Sequence, residues 1–361
     1  LKVPEGYGVA HANLGRIDTF DRGDTDNCLA SEGMEDFAAD NGWYDPATDG
    51  EFSWREAFHP TTPQTLRYTE TRDWSLYRRC APSQEWPSDY HRGVEGAEPL
   101  PLWIKPENKL SVADVFDLMR DHYEGTEFDM TKGVDAGPYG TPNRWRPMAW
   151  EVDGQDYSWE RPISTQQTGF SMVTQSRSWL PDAIGGLTWY GVDDTYFTCY
   201  VPLYCGINDV PESFNYGSLG KFEWDSAWWV FNFVSNFANL KYEYMIQDIG
   251  IVQAELEGDF LDLQPAIEKT AVDLAASDPA LMTRYLTDYS VTHAEAVVDK
   301  WRDLGEYLMT KYNDGYVKDE NGQPREKGYP ETWLRAVLEA HPDKYLLPDQ
   351  DAGTVSEPED Y

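Results

Sequence analysis

The chain has 361 residues, 64 of them acidic and 29 basic, giving a formal charge of −35 and a pI near 4.3. Such a surface repels phosphate backbones and anionic headgroups alike, which excludes nucleic acid as a partner and an anionic membrane as a docking surface. With 40% hydrophobic and 14% aromatic residues the chain can build a real core, so global disorder is excluded, and no run of 18 apolar residues offers a membrane span.

In chain order, residues 1–20 (GYGVAHANLGRIDTF at their centre) read as a strand and turn. Residues 21–101 read as loop, dense in Asp, Gly, Pro and Trp, with short helical pieces such as 31–41 behind Ser31. The clearest early helix is 111–123: Ser111 can cap it, Asp114 suits its first turn, and Val112, Val115, Phe116, Met119 and Tyr123 share a face. A Gly/Pro-rich loop at 124–147 precedes strand-like runs at 169–177, 184–190 and 195–204, whose hairpin spacing favours an antiparallel sheet. From 226 the periodicity turns helical, over 227–249, 251–263, 265–276, 279–289 and 292–313, with breaks at Gly, Pro and Asp and a short helix at 330–340. Sheet pieces followed by helices make an α+β arrangement. The expected divisions are 1–225, a helical region 226–345 packed on it, and an acidic tail 346–361.

Motifs for several chemistries are missing. There is no GxSxG elbow, phosphate-binding glycine loop, HExxH or EF-hand loop, and the six histidines are scattered. Cys28, Cys80, Cys199 and Cys205 form no CxxC pair; they suit either two disulfides in an exported protein or four free thiols in a cytoplasmic one. The carboxylates around His122 (Asp121, Glu124, Glu127, Asp129) read as a solvated helix end, since any cluster is easy to find in so acidic a chain. No metal or cofactor is expected.

Four ordered segments within residues 2–245 carry a resemblance. They are KVPEGYGVAHANLGRID followed by FSWREAF and LRYTETRDW; DHYEGTEFDMTKGVDAGPYGTPNRW; RPIS through VTQSRSWLP and IGGLTWYGVDD to VPLYCG; and SAWWVFNFVSNFANLKY. Together they resemble the N-terminal-nucleophile (Ntn) cysteine dipeptidases, relatives of the secernins. The resemblance implies part of an αββα sandwich with a helical C-terminal region. It also implies hydrolysis of dipeptides by a cysteine made N-terminal by processing, whose α-amine is the base. Residue 1 is Leu, so the nucleophile is expected on an upstream segment or a companion chain.

On the same resemblance, Asn13 in AHAN matches the oxyanion-hole asparagine of penicillin V acylase-type Ntn hydrolases; without it, Asn13 reads equally as a turn residue. Arg72 is the candidate cation, lowering the thiol pKa or gripping a substrate carboxylate, with Arg67 and Arg55 its close competitors. Arg67 and Arg177 are candidate substrate-binding residues, while Arg144 and Trp145 read as loop architecture. A homo-oligomer and export to the periplasm or exterior are expected, with the cytoplasm as the alternative location. Two other functions fit the residues: an Ntn amidase acting on non-peptide amides, and a binding or assembly protein that has lost its nucleophile.

Overall fold

The structure, a computed structural model, describes residues 1–347; most of the expected acidic tail lies outside the described residues. It is an α+β arrangement built around a three-stranded antiparallel sheet. A β-hairpin, β1 (Ala149–Val152) and β2 (Gln155–Ser158), precedes that sheet, and its Asp153-Gly154 turn takes positive φ at both positions, as a tight type I′ connection requires. The main sheet follows in the order β3 (Phe170–Ser176), β4 (Gly186–Val192), β5 (Val201–Tyr204). A short pair, β6 (Val317–Lys318) and β7 (Pro324–Arg325), lies near the end.

The main sheet has two unlike faces. Val173, Leu187, Trp189 and Tyr204 face the principal core, while Phe170 and Met172 of β3 point outward with about half their surface exposed. Phe170 stacks on Tyr190 at 5.7 Å on that outer side. The core is closed by α6 (Ala227–Ala238), α7 (Tyr242–Ser277) and α8 (Pro279–Tyr312), with Trp301 of α8 stacked on Phe231 of α6 at 4.9 Å. Smaller helices complete the chain: α1 (Met34–Asp40), α2 (Trp54–Phe58), α3 (Pro63–Cys80), α4 (Val112–Met119), α5 (Asp182–Gly185) and α9 (Glu331–Ala340).

Several expectations are corrected. The opening 20 residues are not a strand; among the described residues their one strand-like pairing is the antiparallel bridge of Gly8 to Ile104, and side chains such as Leu14 and Arg16 anchor the rest. The supposed loop 21–101 contains the 18-residue α3. The early helix stops at Met119, and Tyr123 takes φ 67° in the turn beyond it. The five expected C-terminal segments become α6, α7 and α8: the first, 227–249, is split by a 3-10 turn at Asn239–Lys241, while α7 runs unbroken through Gly250 and Pro265. Proline removes one backbone donor, a loss that the long contact of α7 with α8 outweighs. The break between α7 and α8 is Asp278, which accepts from the Ala280 and Leu281 N–H groups and caps α8 ahead of Pro279. All four cysteines are free thiols, so the disulfide option is not realised. No helix among the described residues is long and apolar enough to cross a membrane.

Candidate functional site

Helix α3 is the element on which the site is built. Thr62 caps it in a reciprocal pair with Thr65, and Pro63 opens its first turn. Its buried face is unusually polar: Thr69, Glu70, Thr71, Asp73 and Ser75 are all buried beside Leu66, Trp74 and Tyr77. Buried polar groups need partners: Thr69 and Thr71 donate to the Thr65 and Arg67 carbonyls and Ser75 to Asp121, whereas Glu70 and Asp73 face Arg16 and Asp73 Oδ2 makes no hydrogen bond.

The segment 10–16 lies along one side of α3. Leu14 is fully buried, and Gly15 sits where a Cβ would come within 2.2 Å of the Trp54 ring, so only glycine fits. Between these anchors and Ala10 the chain presents Asn13 to solvent. Arg72 donates from Nη2 to Asn13 Oδ1 at 2.7 Å and from Nε to the Tyr68 carbonyl at 2.9 Å. Because a guanidinium only donates, this contact fixes which end of the amide is oxygen. Asn13 Nδ2 is thereby turned away from Arg72, with no acceptor among the described residues: an aimed, exposed amide donor. Burial lowers the proton affinity of the Arg72 guanidinium; nearby Tyr123 and Asp73 oppose that effect, and Arg161 adds to it.

Beneath this pair lies a buried charge cluster. Arg16 Nε is 3.5 Å from both Glu70 and Asp73, and Arg16 Nη1 donates to Tyr77 Oη at 2.9 Å. One cation faces two carboxylates out of water. Burial pushes Glu70 up to about 7 and Asp73 up to about 6, against the opposing pull of Arg16 on each. The folded chain therefore holds these protons more tightly than the unfolded chain, whose carboxyls release them near pH 4. Stability is full below that pH range and falls as pH rises through 6 to 7. Titrating Glu70 alone is expected to cost about 3 kcal/mol between pH 4.5 and 8. Urea midpoints measured across that range test the sign; a midpoint that rises with pH would refute it.

The other side of α3 is braced by the DHYE turn. Asp121 accepts from Ser75 Oγ and the Tyr123 N–H, both at 2.8 Å, and from Arg79 at 2.9 Å. Tyr123, fully buried, donates its hydroxyl to the Arg161 carbonyl at 2.5 Å. Glu124 engages His122, Glu127 accepts from Ser88, and Asp129 accepts from Thr131 and Gly125, so each of these carboxylates has a structural partner.

The remaining arginines have separate settings. Arg67 donates to the Ser158 carbonyl at 3.0 Å, lies 3.6 Å from Glu160, and lines a groove of about 900 Å³ with Arg92, Trp150 and Tyr157. Arg55 pairs with Glu56 at 3.1 Å and lies 3.8 Å from Asp18. Arg177 is buried against Glu268 and the carbonyls of Ile184 and Gly185, tying α5 to α7; no contact joins it to Asn13 or Arg72 among the described residues. Arg144 is held inside its own loop by the Met130 and Thr141 carbonyls. Of the cysteines, Cys199 is fully buried, and burial drives its thiol well above the ordinary range; Cys80 is raised by the same cause. Among the described residues no thiol bonds to a histidine or reaches Asn13.

Arg16, Glu70, Asp73 and Tyr77 went unnoticed in the sequence. The available signal was Glu70 and Asp73 at i and i+3, on the same helical face as Leu66, Trp74 and Tyr77.

Residues 1–255 match the sequence model of Peptidase family C69. A probable dipeptidase of Salmonella dublin is 29% identical over 61% of this chain and 45% of its own length. A probable dipeptidase of Latilactobacillus sakei is 28% identical over 59% and 39%. Dipeptidase A of Lactobacillus helveticus is 22% identical over 72% and 47%. The chain thus spans about half the length, or less, of these relatives.

Proposed function

Since this chain belongs to Peptidase family C69, we propose that it is part of a cysteine dipeptidase in which Asn13 stabilises the oxyanion, Arg72 holds the Asn13 amide, and the nucleophilic cysteine lies on a segment outside these residues. The observation that carries this reading is the 2.7 Å contact between Arg72 and Asn13, which leaves an oriented N–H donor facing solvent. The relatives' names supply the substrate class. Arg67, which lines the groove between α3 and the β1–β2 hairpin, is the residue proposed to meet the substrate's polar end.

In this mechanism the N-terminal α-amine takes the thiol proton, and the thiolate attacks the peptide carbonyl carbon. The carbonyl oxygen gains negative charge and receives the Asn13 Nδ2–H bond. Collapse breaks the C–N bond, the leaving amine takes the proton from the α-ammonium, and water hydrolyses the resulting thioester. The proposed architecture is an αββα sandwich. The exposed Phe170 and Met172 on the outer sheet face support a second sheet packing there, and the β3 edge, unpaired among the described residues, supports further strands joining this sheet.

The test uses the complete polypeptide. Iodoacetamide is expected to label an N-terminal cysteine fastest, and exchanging Cys28, Cys80 and Cys205 for serine together is expected to leave dipeptide turnover within about twofold. Loss of turnover in that triple variant, or fastest labelling on one of its thiols, places the nucleophile in this chain and defeats the proposal. Faster cleavage of phenoxyacetyl amides than of dipeptides defeats the substrate assignment in favour of an amidase.

A further inference from the structure

Asn13 stands midway between Ala10 and Arg16, and those two residues are joined. Arg16 Nη1 donates to the Ala10 carbonyl at 2.8 Å, closing the loop so that Asn13 forms its apex. The same guanidinium reaches outward with its other nitrogen, donating to the carbonyls of Pro101 at 2.8 Å and Leu100 at 3.2 Å. Its Nε faces Glu70 and Asp73 of α3, and its plane lies over the Tyr77 ring at 5.2 Å. The Ala10 N–H meets Tyr77 Oη at 3.5 Å, and the Ala12 N–H helps stabilise the ionised Asp73 carboxyl. Asp73 is also the neighbour in sequence of Arg72. Both members of the donor pair are therefore fastened to one buried cluster.

We infer that Arg16 is a positioning residue: with Glu70 and Asp73 as its buried counter-ions, it clamps the 10–16 loop and thereby sets the aim of the Asn13 amide. This rests on the reading of Asn13 as the oxyanion donor. Such a clamp needs the planar fork of arginine, because a single ammonium cannot serve the Ala10, Pro101 and Tyr77 acceptors together. The alternative of a merely stabilising ion cluster is weak, since a buried pair of well-packed apolar residues stabilises as well or better.

Protonation of the cluster should reach the loop. The groups facing it are Arg16 and His11 from the loop, Arg72 and Tyr77 from α3, Arg55 from α2, and Tyr90 from the chain that covers Glu70. Burial raises both carboxyls, Glu70 to about 7 and Asp73 to about 6, so the pair titrates as a unit over that range and the negative charge facing Arg16 grows as pH rises through it.

Selective ¹⁵N-asparagine labelling of the complete protein gives a direct readout: the Asn13 side-chain NH₂ pair, assigned by its loss in Asn13→Ala. In the native protein one sharp pair is expected, shifting as pH rises through about 6 to 7. In Arg16→Lys the pair should move toward solvent-like shifts or broaden. Over the same change kcat should drop at least tenfold while KM stays within about threefold. In Glu70→Gln, which keeps the clamp and relieves a buried charge, the change over this pH range should narrow to the single titration of Asp73. An unmoved Asn13 pair with undiminished kcat in Arg16→Lys overturns the inference. If that variant does not fold, a pH profile of the Asn13 pair left unaltered by Glu70→Gln overturns it instead. Full turnover in Asn13→Ala would sink the functional reading alone, since the resonance reports the clamp whatever the reaction.

Discussion

Replacing Asn13 by alanine is expected to lower kcat for dipeptide hydrolysis by about 100- to 1,000-fold, with KM changed little. The reason is where the amide bond forms. In the ground state the carbonyl oxygen is a weak acceptor, and Asn13 Nδ2 stands in solvent; in the tetrahedral intermediate that oxygen is anionic, and an aimed donor is worth about 3–4 kcal/mol. Asn13→Asp, nearly identical in shape, is expected to be as damaging. Its carboxylate only accepts, pairs with Arg72 and places negative charge beside the oxyanion. Steady-state kinetics with unchanged thermal melting separates this effect from misfolding, and a loss below threefold would remove Asn13 from the reaction.

Glu257→Ala is expected to destabilise the fold by about 3–5 kcal/mol, the largest stability effect foreseen for a single polar side chain here. Glu257 on α7 is buried and holds Arg120 with both oxygens, at 2.6 and 3.0 Å, while accepting the Tyr200 N–H at 2.8 Å. Arg120 follows α4 directly, also donates to the Thr198 carbonyl, and lies over the Tyr200 ring at 5.4 Å. Removing Glu257 strands that cation out of water and unpairs a backbone donor. Glu257→Gln, which keeps an acceptor for Tyr200, should cost less. Urea unfolding with an unchanged m-value is the measurement. A loss of under about 1 kcal/mol would show that the pair is merely tolerated.

What was legible in the sequence follows a physical divide. Alternation and β-branched and aromatic content marked β3 and β4, even though the inward positions of β3 carry Ser171 and Gln175 beside Val173 and its outward positions carry Phe170 and Met172. Helix α3 escaped notice because its inward face carries Glu70, Thr71, Asp73 and Ser75, so the hydrophobic period that signals a helix is interrupted where the site is built. The β1–β2 hairpin was passed over although Asp153-Gly154 is a strong turn signal, since its flanking residues are mostly exposed. Gly250 and Pro265 read as breaks, but neighbouring helices override local propensity along α7. Asn13 and Arg72 were singled out by resemblance. Their direct contact, 59 positions apart in the chain, depends on the Gly15–Trp54 packing and the Arg16 clamp, and no local pattern encodes either.

The central claim is that Arg72 serves the reaction by holding the Asn13 amide, and a double-mutant cycle on kcat tests it most directly. Asn13→Ala, Arg72→Met and their combination are compared in the complete enzyme with one dipeptide. If the arginine acts through the amide, the double variant falls no further than Asn13→Ala alone. Losses that multiply would mean two independent roles and would contradict the account.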